Sequence, residues 1–450
     1  MTINENKQIK EFSAILEKFI SFQTISTSTK YQDNVDDCLK WLAGLLKKNH
    51  IEYEIFKLTG SNPILFGEYI HNKELPTILI YGHYDVQPAF EKDGWKQNPF
   101  MLKVLNDKFI GRGVADNKGQ LLIQLFSIFK LIKSGTLKYN FKFLIEGNEE
   151  CGSAGLPEFI ETHQDLLKSN LIIISDGEMS NNNPTIEVGF RGSANMTLKI
   201  QTANSHVHSG MYGNTIPNAI HEMIKILNPI FNSEDNISIP NFFELGSGEK
   251  LSINFKEVIS TNEESLTLQL EQLSIKKYFI KNDYEFQLKS GFLPAFVITG
   301  FNAGYTDLGY SNIIPNTSEV KINLRFAPNQ DSKRITDSVK KYFKKNIPDF
   351  IDYKLSIGSI NDGTLIKTDN IYFSNAIRLL EEVFSEKIAY KFVGGSLPII
   401  NSFISYLKIP LLSIPLANTN CNMHGVNENL NIINTILCLE FCNKLYTSPL

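Results

Sequence analysis

Apolar positions recur in two rhythms along the chain. Residues 9–22 carry them at helical spacing, and so do residues 35–49, where Cys38, Leu39, Trp41, Leu42, Leu45 and Leu46 make one face. Residues 76–81 form an apolar run short enough for a buried strand. A long helical pattern over 118–134 stops at Gly135. Residues 141–145 and 171–174 predict two more strands, with a helix over 156–167 between them. Strands separated by helices predict an α/β fold, a mainly parallel sheet with helices on both faces. Beyond the polar loop 180–184 the texture changes, from about Gly189. Residues 194–200 and 319–326 alternate as half-exposed strands do, 215–227 reads as a helix, and a long polar stretch fills about 232–282. That pattern predicts an α+β unit inserted into the α/β one. The first rhythm resumes after Thr368: a helix over 371–384, a glycine turn at Gly394 and Gly395, a strand over 411–414 and a helix over 429–446. The expected boundaries are 1–188 and 367–450 for the α/β domain and 189–366 for the insert.

Composition narrows the function classes. With 450 residues, 42% of them hydrophobic and 20% charged, the chain can bury a large core and is not expected to be disordered. Lys+Arg 44 against Asp+Glu 48 leaves a net charge of -4, and no basic run stands out, so no nucleic-acid partner is expected. No stretch of spanning length is wholly apolar, so no membrane segment is expected. The five cysteines, Cys38, Cys151, Cys421, Cys438 and Cys442, form no paired CxxC motifs, which argues against a cysteine-type zinc site. The first residues lack the basic head and apolar run of a secretory signal, and a cytoplasmic location is expected.

The candidate chemistry follows the predicted strands. Gly82-His83-Tyr84-Asp85 comes after the first, Gly147-Asn148-Glu149-Glu150 after the next, Ser175-Asp176 after the third and Asn422-Met423-His424 after the last. The carboxyl ends of strands in an open parallel sheet form the ligand crevice. Asp116 sits in the glycine-rich turn Gly111-Arg112-Gly113-Val114-Ala115-Asp116-Asn117-Lys118-Gly119, ahead of a helix. Taken singly each fragment is ordinary. His-x-Asp is common in surface turns, paired glutamates often start a solvated helix, and Asp116 could simply cap the helix behind it. Together they place two histidines and several carboxylates on one edge, the donor types that suit Zn, Co or Mn. Two His with Asp116, Glu150 and Asp176 suffice for two ions if one carboxylate bridges, which leaves Asp85 and Glu149 for other work.

These residues resemble the dinuclear zinc amidohydrolases that include carnosine-type dipeptidases, glutamate carboxypeptidases, aminoacylases and succinyl-diaminopimelate desuccinylases. The matching motifs are Gly82-His83-Tyr84-Asp85-Val86, Gly111-Arg112-Gly113 with Asp116-Asn117-Lys118-Gly119, and Glu149-Glu150-Cys151-Gly152-Ser153. Ser175-Asp176, His208-Ser209-Gly210, Asn312-Ile313-Ile314-Pro315 to Arg325, and His424 with Asn427-Glu428 follow in family order. The resemblance implies two divalent metal ions per subunit, zinc with Mn or Co as alternatives. His83 and Asp176 would bind one, Glu150 and His424 the other, and Asp116 would bridge them, with a cis peptide to Asn117. It further implies Asp85 as the group that orients His83, Glu149 as general base, and His208 as an oxyanion donor supplied by the partner subunit. Arg325 would hold a substrate carboxylate, with Asn312, where carnosine-type members more often carry Thr, and Ser396 of the glycine turn touching the substrate. His206 has no such support and reads as structural. The implied activity is hydrolysis of an amide bond in a dipeptide or related amino-acid conjugate, by a homodimer joined through the insert as lid. An N-acyl-amino-acid deacylase shares every catalytic residue and is the alternative. A non-catalytic binding homologue would be expected to have lost a ligand or Glu149.

Overall fold

A nine-stranded sheet carries the molecule, and its centre is parallel. The strands Asn140–Glu146, Thr77–His83, Leu171–Ile174 and Leu411–Ser413 lie side by side in that order, all in one direction. Antiparallel neighbours flank them: Ile64–Tyr69 and Glu52–Phe56 on one side, Thr185–Phe190 and Thr364–Leu365 on the other. Ala389–Val393 pairs in parallel with Thr185–Phe190. The computed structural model describes residues 7–231, 237–245, 275–277, 279–395 and 397–448.

Period-two alternation in the central strands builds two cores, one on each face. Ile78, Ile80, Leu171, Ile173 and Leu412 turn to one side, where they meet helices Lys7–Ile20, Gln32–Lys48, Lys118–Ser134, Ile371–Phe384 and Ile432–Thr447. Leu79, Tyr81, Ile172, Ile174 and Leu411 turn to the other and pack with Leu156–Thr162 and the segment around Ile399, Ile400 and Phe403. Successive side chains of a strand point to opposite faces, so a strand covered on both sides reads as a continuous apolar run. That is why these strands were visible in the sequence.

A separate four-stranded antiparallel sheet has the order Ala295–Ala303, Thr317–Phe326, Gly192–Gln201, Asp352–Asn361. Its inner face, with Met196, Leu198, Ile200, Val320, Ile322 and Leu324, packs against helices Ala219–Leu227 and Ser332–Asn346 in a core of its own. This is the inserted α+β unit. Among the described residues no helix is long and apolar enough to cross a membrane.

Several expected boundaries move for identifiable reasons. The helix expected over 215–227 starts only at Ala219, because Pro217 precedes it and the Asn218 side chain caps Ile220 and His221. The helix expected over 156–167 breaks at His163 into Leu156–Thr162 and Gln164–Leu167. The last helix begins at Ile432 instead of residue 429. Asn429–Asn431 is a strand paired with Lys108–Ile110, and Asn431 caps the helix through Ile433 and Asn434. Most of the polar stretch 232–282 lies outside the described residues.

Helix Lys118–Ser134 begins hard against the turn before it. A side chain on Gly119 would put its Cβ 1.9 Å from the carbonyl oxygen of Val114. Backbone cannot swing aside as a side-chain end can. Gly119→Ala is expected to destabilise the protein by about 1–3 kcal/mol, read as a lower denaturant midpoint with an unchanged slope. An unaltered midpoint would show that the turn yields freely.

Candidate metal centre

Because the four central strands are parallel and adjacent, their carboxyl ends meet at one edge, and each delivers a donor there. His83 is the last residue of Thr77–His83. Glu149 and Glu150 open the turn Glu149–Cys151 just beyond Asn140–Glu146. Asp176 follows Leu171–Ile174, and His424 stands in the loop after Leu411–Ser413. Asp116 comes from the turn before helix Lys118–Ser134, and its peptide to Asn117 is cis, as expected. The loop that presents His424 is tight: Asn420, Asn422, His424 and Asn427 all have positive φ. Asparagine tolerates this region because its short side chain can bond nearby backbone.

The donors fall into two groups, His83 with Glu149 and Asp176, and Asp116 with Glu150 and His424; within each, the donor atoms all lie within 4.8 Å of one another. His83 Nε2 is 3.0 Å from Asp116 Oδ1, 3.6 Å from Asp176 Oδ1 and 3.9 Å from Glu149 Oε2. His424 Nε2 is 2.8 Å from Asp116 Oδ2 and 3.2 Å from Glu150 Oε2. Asp116 therefore turns one carboxylate oxygen to each histidine. Glu149, expected outside the ligand set, stands at the rim of the first group, at the longest of these distances.

A layer of buried polar groups aims the donors. Asp85 lies 3.2 Å from His83 Nδ1 through its carboxylate and 3.1 Å through its own carbonyl. The same carboxylate accepts the backbone N–H groups of Glu149 (3.2 Å) and Glu150 (3.1 Å). One buried group thus orients a histidine on one strand and both glutamates after the next. Gln87 donates its backbone N–H and its side-chain amide to Glu150, at 3.0 and 2.7 Å. Asn117 donates to Asp176 Oδ1 at 3.0 Å. Glu428, fully buried, accepts the N–H groups of Gly113, Ala115 and Asp116 at 2.9, 2.8 and 2.9 Å and pairs with Arg112 at 2.7 Å. Sequence reasoning gave no role to Gln87, Asn117 or Glu428. The last two stood inside the matched motifs, whereas Gln87 carried no signal beyond its nearness to Asp85.

The electrostatics of the protein groups alone are those of a cation site. Burial, reinforced by Asp176, Asp116 and Glu150 against the pull of His83, pushes the Glu149 carboxyl well above the ordinary carboxylate range. Hydrogen bonds to Asp116 and Glu150 raise His424 to about 10. Burial opposes the charged form of His83, yet Asp176, Asp116 and Asp85 hold it well above the usual imidazole value. Asp116, although buried, is drawn below the carboxylate range by the two histidines. His83 Nε2 is buried and, among the described residues, makes no well-formed hydrogen bond, even with Asp116 Oδ1 close by. A buried nitrogen left without a hydrogen bond, facing oxygen donors and fixed by a carboxylate on its far side, has the arrangement of a metal-ligating histidine. The residues present fit two divalent cations with mixed nitrogen and oxygen ligands.

The described substrate candidates make their bonds away from the donor groups. His208 is exposed, and its Nδ1 accepts the N–H of Gly210 at 3.1 Å. Strand Val207–His208 pairs with Ile313–Ile314, and the N–H of Ser209 bonds the carbonyl of Asn312 at 2.9 Å, so His208 and Asn312 are brought together. Arg325 stands half-buried on Thr317–Phe326. Among the described residues, no hydrogen bond or ion pair joins His208, Asn312 or Arg325 to the metal donors. Ser396 lies outside the described residues. His206 accepts the N–H of Asn316 at 3.2 Å, in keeping with a structural part.

Residues 79–446 match peptidase family M20/M25/M40. The chain is 28% identical over 465 residues to the Cys-Gly metallodipeptidase DUG1 of Candida albicans, covering 97% of this chain and 93% of the relative. It is 28% identical over 388 residues to the Beta-Ala-His dipeptidase of Mus musculus, covering 83% and 77%. The fold is similar to that of an M20 family metallo-carboxypeptidase, Sso-CP2 from Sulfolobus solfataricus, with TM-score 0.85 and 23% identity over 98% of this chain and 99% of that one. It is also similar to human carnosine dipeptidase 1, with TM-score 0.80 and 22% identity over 98% and 96%.

Glu428 offers a direct test of how the Asp116 turn is held. Glu428→Gln replaces one acceptor oxygen with an amide that faces backbone N–H donors. The Asp116 carboxylate should lose its placement, and affinity for Zn²⁺, measured by competition with a chromophoric chelator, should fall about 10–100-fold. Affinity equal to that of the unaltered chain would show that the turn holds its shape without Glu428.

Proposed function

The chain belongs to peptidase family M20/M25/M40, and on that footing we propose that it hydrolyses the amide bond of free dipeptides with two divalent metal ions, zinc foremost. One observation carries the reading: Asp116 presents an oxygen to each of two histidine–carboxylate groups. The relatives' names, a Cys-Gly and a Beta-Ala-His dipeptidase, support dipeptides over larger peptides as the substrate class.

His83 and Asp176 would hold one ion, Glu150 and His424 the other, with Asp116 shared. Ions bound there would lower the pKa of a water and polarise the amide carbonyl. Asp85 keeps the proton of His83 on Nδ1, which leaves Nε2 free as a ligand. Glu149, at the rim of the donor group, takes the proton of the attacking water on a carboxylate oxygen and passes it to the leaving amine nitrogen. A proton carrier must not be tied up as a ligand, which gives the adjacent glutamates different tasks. Arg325 binds the substrate carboxylate with its planar fork, and Asn312 and Ser396 touch the substrate beside it.

Residues 189–366 serve in this reading as lid and dimerisation unit, and His208 of one chain donates to the oxyanion in the site of the other. Two features support an assembly of two copies. His208 is exposed and unconnected to the donors of its own chain. The edge strand Ala295–Ala303 and the loop after it expose Val297, Phe301, Tyr305, Leu308 and Tyr310. An exposed apolar sheet edge is a ready surface for pairing with another chain.

Glu149→Gln keeps the size of the side chain but cannot take up the proton. It is expected to bind two metal ions per chain by elemental analysis and to lose several orders of magnitude of turnover, whereas an active variant, or one lacking a metal, would sink the assignment. Mixing inactive His208→Ala with inactive Glu149→Gln should restore activity, since one site of each heterodimer then combines an intact His208 and an intact Glu149. No recovery after confirmed subunit exchange would rule out a contribution across the interface. In a screen with Zn²⁺, Mn²⁺ and Co²⁺, free dipeptides should be cleaved and N-acyl amino acids spared; the reverse preference would make the chain a deacylase.

A further inference from the structure

Arg191 sits where the large sheet gives way to the inserted unit, between strands Thr185–Phe190 and Gly192–Gln201. Its side chain gathers three pieces of backbone. Nε donates to the carbonyl of Gly394 at 3.0 Å, and Nη1 to the carbonyls of Lys289 and Leu293, both at 3.2 Å. Its own N–H bonds Val393 at 3.0 Å. The glycine turn is pressed into this junction so closely that a Cβ on Gly394 would stand 2.3 Å from the carbonyl of Ser290 and 2.9 Å from Arg191 Nη2. Among the described residues, every acceptor of the Arg191 side chain is a neutral carbonyl. No carboxylate compensates its charge among the described residues.

Arg325 is its neighbour. The register places Arg325 opposite Ser193 and Phe326 opposite Gly192. Arg191 is one residue beyond the last pair of that ladder, at the end where Arg325 lies, and the charge of Arg325 acts on it. Even-numbered residues of both strands, such as Ala194, Leu324 and Phe326, turn into the core of the insert, which leaves the odd-numbered Arg325 on the other face. The Arg325 guanidinium has no hydrogen-bond or ion-pair partner among the described residues. Burial and the charge of Arg325 together bring Arg191 down to about 10, which still leaves both cationic at neutral pH. Two half-buried guanidiniums without a counter-ion are costly unless an anion joins them.

We infer that Arg191 is a positioning residue of the substrate site: it fixes the Gly394–Gly395 turn against the insert and adds a second positive charge beside Arg325, so that the pair takes a carboxylate-bearing peptide. The inference rests on the dipeptidase reading for the identity of the substrate, but the cation pair can be tested by binding alone. Arg325 would make the direct fork, while Arg191, already committed to three carbonyls, would act through the field and through the turn.

The test measures binding to the dimetal protein carrying Glu149→Gln, using alanyl-alanine and alanyl-alaninamide in titration calorimetry. The free acid should bind about tenfold or more tighter than the amide, the scale of one charge-assisted hydrogen bond. Arg191→Gln, which retains donors for the carbonyls but no charge, should reduce that ratio to about threefold or less. Arg191→Lys, which keeps the charge and loses the fork, should preserve most of the ratio while weakening both ligands together. Metal content should stay at two ions per chain in both variants. A ratio unchanged in Arg191→Gln would reduce Arg191 to a backbone tie and overturn the inference, as would equal binding of acid and amide before Arg191 is altered. Turnover of the dipeptide by Glu149→Gln would instead count against Glu149 as base and leave the arginine comparison readable from KM. If Arg191→Gln does not fold, the Lys variant decides: loss of the acid preference despite the retained charge would also overturn it.

Discussion

Holding five carboxylates, those of Asp85, Asp116, Glu149, Glu150 and Asp176, around two imidazoles at one sheet edge is the constraint from which much of this structure follows. Like charges buried together repel, and each one taken from water costs more than a surface pair returns. The protein answers with fixed backbone dipoles. Glu428 gathers three N–H groups and Arg112 to shape the turn beneath Asp116, and Asp85 gathers two N–H groups and His83. These groups are buried and specific, and they fix the orientation of the donors. What they do not supply is enough positive charge, and the donor chemistry fits two divalent ions for that purpose.

The parallel centre of the sheet is what makes such a gathering possible. Strands Asn140–Glu146, Thr77–His83, Leu171–Ile174 and Leu411–Ser413 point the same way, so loops widely separated in sequence end on one edge. Cores on both faces, with Ile78 and Ile80 on one and Leu79 and Tyr81 on the other, keep that edge rigid. The inserted unit has its own core and its own sheet. It meets the large sheet at Arg191, whose three carbonyl acceptors come from the glycine turn and the segment around Lys289 and Leu293.

What could be read from the chain alone was whatever depends on local periodicity or on short motifs. Helix Lys118–Ser134, strand Leu171–Ile174 and helix Ile371–Phe384 appear with the expected bounds, because a terminating glycine, burial on both faces, and one apolar face behind the Asn370 cap, respectively, leave a strong local mark. The five residues expected as ligands stand together, with Glu149 among them, in two donor groups, since each follows an apolar strand or a glycine-rich turn that is plain in the sequence. Tertiary structure decided the rest. Strand Glu52–Phe56 is almost wholly exposed and has no alternation to betray it, and Asn429–Asn431 became a strand only because Lys108–Ile110 was there to pair with it. Gln87 and Glu428 acquire meaning only when folding brings them to Glu150 and to the Asp116 turn. Arg191 looks like any surface arginine until the strand register sets it beside Arg325 and the glycine turn closes on it. Periodicity records which side of an element is buried; it carries no record of what a polar side chain meets across the fold, because that partner lies far away in the chain.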